Sequence, residues 1–188
     1  PAFHQHVFSQ PGETVAVLNL GGMANISILQ GDQVFGFDCG PGNVLLDTWC
    51  HTHTGQAFDK EGAWAATGQV SQALLTQLLS EPFFSLMPPK STGRDLFHAQ
   101  WLNHHVQAFP GLAPADVQVT LAALTAQTCA NEFLRHAPLA RQLLVCGGGA
   151  HNLHLMHLLG QCLPKVTVSS TDSRGMPPMQ VEAAAFAW

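Results

Sequence analysis

Asp38 ends a strand-like run against a Gly-Pro-Gly corner in GFDCGPGN (residues 36–43). A glycine pair, Gly21-Gly22, divides LNLGGMANISIL (residues 18–29) into two further strand-like runs. A carboxylate at a strand end is well placed to take a proton from a hydroxyl. Glycines at a tight hairpin let backbone N–H groups approach a bound group with no side chain in the way. A cradle for phosphates beside a base is the combination that phosphoryl transfer needs. Each part also has a plainer reading. Aspartate steadies turns by bonding nearby backbone, and glycine pairs are common in purely structural hairpins.

A third glycine corner, Gly147-Gly148-Gly149, follows the apolar run QLLVC and precedes a helix-like segment opened by Asn152. Backbone can approach a nucleotide at such a strand-to-helix junction. It is not a Walker loop, because the terminal Gly-Lys-Ser/Thr is missing. Glu182 stands early in the apolar run VEAAAFAW, where a charge is unexpected; an acid in a helix's first turn is also favoured by the helix dipole. Three of the few basic residues fall in FDKEGAWAATG (58–68) and PPKSTGRDLF (88–97), together with Asp59; by themselves these read as solvated loops. The 11 histidines form clusters at His51/His53 and His151/His154/His157. No acidic or cysteine partner stands at zinc-like spacing, so they read as surface residues, and no protein-held metal site is expected.

The elements that must carry these residues follow from the pattern. Residues 15–20, 24–29 and 33–38 read as an antiparallel meander, with Gly31-Asp32 as its second turn. A helix is predicted over about 43–51, and helical segments near 63–68 and 71–79. Asp116 is expected to cap a long helix in which Val117, Leu121, Leu124 and Thr128 share one face. Then come a strand at 142–146, a helix at 152–162, a strand at 166–169 and a helix at 181–188. A meander followed by βα units predicts an α/β fold: a mixed sheet with flanking helices. Trp64, Trp101 and Trp188 read as core or interface aromatics.

Composition bounds the rest. A chain of 188 residues suffices for one domain or one lobe. Charged residues are only 10%, well below the usual ~25%, which predicts an extended face that meets something else. Seven Lys+Arg, a net charge of −5 and no basic cluster argue against nucleic acid as a partner. The five cysteines are scattered with no CxxC, so free, mostly buried thiols in a reducing, cytoplasmic setting are expected. No apolar run approaches the ~20 residues that span a bilayer, and no signal peptide is visible. The opening Pro1 and the closing AAAFAW predict a sequence cut at both ends.

The order of elements is that of a ribonuclease-H-like lobe of the actin-like ATPases. The motifs NLGGMANIS, GFDCGPGNVLLD, FDKEGAWAATG, PPKSTGRDLF, DVQVTLAALTA, LLVCGGGAHN and VEAAAFAW, in that order from end to end, closely resemble the anhydro-N-acetylmuramic acid kinase family. The resemblance implies ATP-dependent phosphorylation of 1,6-anhydro-N-acetylmuramic acid with hydrolytic opening of the anhydro bridge. The product would be N-acetylmuramic acid 6-phosphate, in peptidoglycan recycling. It implies Asp38 as catalytic base and Glu182 as a second acid that orients the water. It implies phosphate contact at Gly21, Gly22, Asn25, Gly40, Gly42 and Asn43, and adenosine contact at Gly147, Gly148, Gly149 and Asn152. Asp59, Lys60 and Lys90 would shape the sugar end, and Mg²⁺ would arrive with ATP.

Three departures from the family pattern stand out: Cys39 where many relatives have Thr, His151 where Arg is common, and GMPPMQ before Val181. The family's SGTSxDG phosphate loop and its His-Gly-Gln-Thr sugar segment do not occur here. The resemblance therefore implies a C-terminal lobe, with core residues about 1–55 and 116–188 and an insertion at about 56–115, whose partner is a missing N-terminal lobe. A homodimer stays open. The alternative is a non-catalytic actin-like nucleotide-binding or interaction module; the pairing of Asp38 with Glu182 favours the enzyme.

Overall fold

A computed structural model describes residues 2–9, 12–31 and 33–187. Asp32 and Trp188, assigned above to a turn and to an aromatic contact, lie outside them. The alternation of residues 14–41 resolves into three strands, β1 (Thr14–Leu20), β2 (Met23–Gln30) and β3 (Gln33–Pro41). With β4 (Gln142–Cys146) and β5 (Thr167–Ser170) they form one sheet in the order β3-β2-β1-β4-β5. β2 runs antiparallel to both neighbours, whereas β1, β4 and β5 are mutually parallel. The carboxyl ends of β1, β3, β4 and β5 therefore share one edge of the sheet with the start of β2. In open α/β sheets that edge is where ligands bind.

Period-2 alternation divides the sheet into two faces. Leu18, Ile26, Ile28, Phe37, Leu143 and Val145 point to one face, and Val15, Val17, Leu29, Leu144 and Cys146 to the other. The first face is covered by α2 (Val44–Thr54), α5 (Pro114–His136) and α6 (Leu153–Cys162). The second is covered by two short helices, α1 (Ala2–Phe8) and α7 (Gln180–Ala187), through Phe3, Phe8 and Val181. Each large aliphatic side chain so buried contributes roughly 1.5–3 kcal/mol.

Residues 56–115 join the first core instead of standing apart from it. Leu74, Leu75 and Leu78 of α3 (Gln72–Leu79), Phe83, Phe97 and Leu102 of α4 (Ala99–Val106) all pack into it. This explains the breadth of α5's buried surface. The expected stripe of Val117, Leu121, Leu124 and Thr128 is buried, but so are Gln118, Val119, Thr120 and Thr125, because α5 lies between the sheet and the inserted segments.

Two local expectations need correction. Asp116 does not cap α5: Pro114 opens the helix, as its missing N–H allows, and the Asp116 carboxylate instead accepts the Gln69 N–H at 2.7 Å. The helical segment expected near 63–68 is two 3₁₀ turns, Lys60–Gly62 and Ala65–Thr67. Left-handed backbone at Glu61 (φ 58°) and Gly62 (φ 72°) lies within the first of them, so no regular helix forms. The short helices α1 and α4 had no predicted counterpart.

Candidate active site

Four strand ends and three glycine corners meet at the carboxyl edge of the sheet, but the corners are not equivalent. The Gly21-Gly22 turn between β1 and β2 offers its carbonyls to the start of α2. Gly42 N–H donates to Gly22 O at 3.0 Å, Asn43 N–H to Gly21 O at 2.8 Å and Val44 N–H to Gly22 O at 3.1 Å. The Asn43 side-chain amide donates to Leu20 O at 3.0 Å. These are the donors that a helix start would otherwise leave unpaired. A β-carbon on Gly42 would stand 2.3 Å from Gly21 O, so Gly42 is glycine because two backbones touch there. At Gly40, with φ +140°, a β-carbon would stand 2.6 Å from the Phe84 ring. Gly40 and Gly42 thus let Phe84 and the β1–β2 turn pack closely, and the Gly42 and Asn43 N–H groups are bonded to that turn, while Asn43 also lines the neighbouring cleft.

The exposed backbone lies elsewhere. A β-carbon on Gly22 would meet nothing within 4 Å, and on Gly21 nothing nearer than 3.6 Å. Within the triple glycine, Gly147 has φ +80° and presses on Asn19 and Leu20, and Gly149 presses on Leu20. A β-carbon on Gly148, between them, would meet only Asn43 Nδ2 at 3.8 Å and Met179 Sδ at 4.0 Å. It faces a cleft of about 670 Å³ bounded by Asn43, Asp47, the 58–61 loop, His151, Asn152 and Met179. Asn152 caps α6 by accepting the Leu155 N–H at 2.9 Å, as its position before that helix leads one to expect.

Asp59 and Lys60 also border this cleft. Expected at the sugar end, they line the same cleft as Gly148 and Asn152. Asp59 also ties its loop down, accepting the N–H groups of Trp64 at 2.9 Å and Ala65 at 2.8 Å. Asp47 is a cleft residue that sequence reasoning missed. It is half-buried in the first turn of α2, and removal from water pushes its carboxyl up to about 6. Its only sequence signal is an acid in a helix's first turn, which is too common to single it out.

Asp38 lies in a polar row on the second face of the sheet. Register places Cys146, Asn19, Asn25 and Asp38 side by side on β4, β1, β2 and β3. At ~4.8 Å per strand the row is about 14 Å long. Cys39 is left out of the pairing at an irregularity opposite Ala24 and Asn25, and both Cys39 and Phe37 are buried. One oxygen of Asp38, Oδ2, is held by Ser91 Oγ–H at 3.0 Å and Thr92 N–H at 2.9 Å. The Asp38 N–H donates to Lys90 O at 3.2 Å. The other carboxylate oxygen has no hydrogen bond among the described residues. Glu182 is exposed at the opposite end of the row, where its charge, after burial, helps push the Cys146 thiol up to about 12. Among the described residues no hydrogen bond joins Asp38 to Glu182.

Lys90 corrects a further expectation. Read as a solvated loop residue or a sugar contact, it is buried, with Nζ 3.0 Å from Glu132 Oε1 and 4.8 Å above the Phe83 ring. Glu132, also missed, is a buried acid on α5 that Arg135 and His136 approach at 3.3 Å each. The available signal was a charge between the apolar residues Ala130 and Phe133 in CANEFL, since buried acids need partners. Four of the five cysteines are buried free thiols and the fifth, Cys162, is half-buried. Among the described residues no three His, Cys, Asp or Glu side chains converge to hold a metal ion, and no helix is long and apolar enough to cross a membrane.

Comparison with known proteins agrees with this architecture. The profile described as anhydro-N-acetylmuramic acid kinase matches residues 1–188. Proteins of that name from Albidiferax ferrireducens and Variovorax paradoxus are 51% and 52% identical over the whole of this chain. The chain spans about half the length of these relatives, 54% and 52% respectively. Among solved structures, the activator of 2-hydroxyisocaproyl-CoA dehydratase from Clostridium difficile aligns over 96% of this chain and 61% of its own, with a TM-score of 0.58 at 14% identity. Xylulose kinase from Rhodospirillum rubrum aligns over 97% of this chain and 38% of its own, with a TM-score of 0.56 at 14% identity. At that identity they show the shared fold alone.

Proposed function

Since the chain belongs to the anhydro-N-acetylmuramic acid kinase family, we propose that it forms the catalytic-base half of an ATP-dependent kinase of 1,6-anhydro-N-acetylmuramic acid. The relatives are about twice as long, so the other half of the site comes from a lobe outside these 188 residues. The single observation that carries the reading is the Asp38 carboxylate, with one oxygen held and the other free at the carboxyl edge of the sheet.

The free oxygen takes a proton from water as the water oxygen bonds to the anomeric carbon. The anhydro C–O bond breaks, and its electron pair goes to the sugar oxygen at position 6. That oxygen attacks the γ-phosphorus, and the bond to the ADP oxygen breaks. The proton leaves Asp38 for solvent. The chain's own contribution is to orient one base and to hold the nucleotide in register with it, and such positioning supplies much of catalysis in phosphoryl transfer. The nucleotide would lie along the exposed backbone at Gly21, Gly22 and Gly148, with Asn152 bordering it; the open space at Gly22 and the absence of any atom nearer than 3.8 Å to a β-carbon at Gly148 support that fit. Mg²⁺ is expected to enter with the nucleotide. Glu182, at the far end of the polar row, is proposed to act on the water only when the lobes close on the sugar.

The test is Asp38→Asn in the intact two-lobe enzyme. General base catalysis is worth ~10²–10⁴-fold, so turnover should fall by at least that order while ATP affinity persists. Sugar phosphorylation and bridge opening should fail together, because one proton transfer starts both. Near-normal phosphorylation would reduce Asp38 to a turn residue and make Glu182 the candidate base.

A further inference from the structure

The groups that orient Asp38 come from one short segment, residues 90–92. Lys90 supplies the carbonyl that receives the Asp38 N–H, and Ser91 and Thr92 donate to Asp38 Oδ2. This segment belongs to no helix or strand. Ser91 is exposed, so packing around its side chain does not fix it. What anchors the segment is the side chain of Lys90, which turns inward to Glu132 on α5 at 3.0 Å, with both side chains at most 3% exposed. Its Nζ also donates to Phe83 O at 3.5 Å and lies over the Phe83 ring. Glu132 in turn is flanked by Arg135 and by His136, whose ring packs edge-on against Phe37 at 4.9 Å, the residue before Asp38. The contacts close a ring from Asp38 to 90–92, to Glu132, to His136, to Phe37 and back to Asp38.

We propose that Lys90 and Glu132 are positioning residues: their buried ion pair fixes segment 90–92 so that Asp38 presents its free oxygen to the water. The inference rests on the reading of Asp38 as the base. Its physical basis is twofold. Replacing a buried ion pair by apolar side chains is often neutral or better for stability, so the pair is poorly explained by stability alone. A displacement of about 1 Å at a reacting group can cost ~10²-fold in rate. Hydrogen-bonded fixation of a carboxylate therefore has kinetic value out of proportion to its thermodynamic value.

The experiment compares three variants of the intact enzyme, with turnover normalised to nucleotide-binding sites. Lys90→Met alone leaves Glu132 buried without its nearest cation, and a lowered melting temperature is expected. The double variant Lys90→Met with Glu132→Met removes both charges; it should melt near the wild-type temperature and bind ATP normally, yet keep a kcat reduced by ~10–100-fold. Ser91→Ala removes one donor to Asp38 Oδ2 at an exposed position, and kcat should fall several-fold with KM for ATP unchanged. Wild-type kcat in the double variant would overturn the inference and make the pair purely structural. If Asp38→Asn is itself active, the base reading fails first. If Asp38→Asn is inactive while the double variant turns over normally, only the positioning role fails.

Discussion

The corner after β3 and the corner after β4 have similar sequences and opposite structures. At GPGN, each glycine is filled: Phe84 lies against Gly40, the Gly21 carbonyl against Gly42, and the N–H groups that open α2 are bonded to the β1–β2 turn. At GGG, two glycines are filled in the same way, but Gly148 is left bare over the cleft. A glycine therefore has two distinct uses at this edge. It lets protein backbone approach protein backbone, or it leaves backbone open to something else. The β3 corner is built for fixation, next to the proposed base. The β4 corner is built for access.

The strongest way to break this comparison is to add a methyl group at a filled position. Gly42→Ala places carbon against backbone oxygen that no side-chain movement can relieve. Overpacking of this kind typically costs ~1–3 kcal/mol, and the upper end is expected here. Thermal unfolding would measure it, and an unchanged melting temperature would show that the β3 corner is looser than described. At the open corner, Gly148→Val should do the reverse. Melting should hardly change, because the position meets nothing nearer than 3.8 Å, while ATP affinity in the intact enzyme should fall about tenfold or more as the side chain enters the cleft. Unaltered affinity in a folded protein would remove Gly148 from the nucleotide site. Gly22→Ala sharpens the same point: its open surroundings predict a stability change within about 0.5 kcal/mol, whereas any loss of ATP affinity would assign the exposed turn to the ligand.

A smaller effect separates the cleft floor from both corners. The carboxyl of Asp47 is raised to about 6 by removal from water, so the folded protein holds its proton more tightly than the unfolded chain does. Between about pH 4 and pH 6 the folded state then binds more protons, and this group's contribution to stability falls as pH rises through that window. The residue keeps partial contact with solvent, which discounts the penalty to on the order of 1 kcal/mol. Asp47→Asn should therefore raise stability at pH 7 relative to wild type and leave it nearly unchanged at pH 4. Parallel pH profiles of the two proteins would mean that Asp47 is fully solvated.

Much of this was legible because it depends on short stretches of chain. Alternation of apolar residues on either side of Gly21-Gly22 dictated the meander, since a pleated strand sends successive side chains to opposite faces. Asn152 before an apolar run marked a helix start, and the family motifs pointed to the fold class and drew attention to Asp38. What was not legible has a different property. Whether the Gly42 N–H is open or bonded depends on a carbonyl 20 residues away in the chain, at Gly22. Whether Lys90 is solvated or buried depends on Glu132, 42 positions further on. Whether Asp47 is an ordinary surface acid depends on the 58–61 loop and the β4 corner closing a cleft over it. Residue type and spacing set which groups could do chemistry. Which of those groups stay free was decided only when distant backbone and side chains competed for the same donors, acceptors and space.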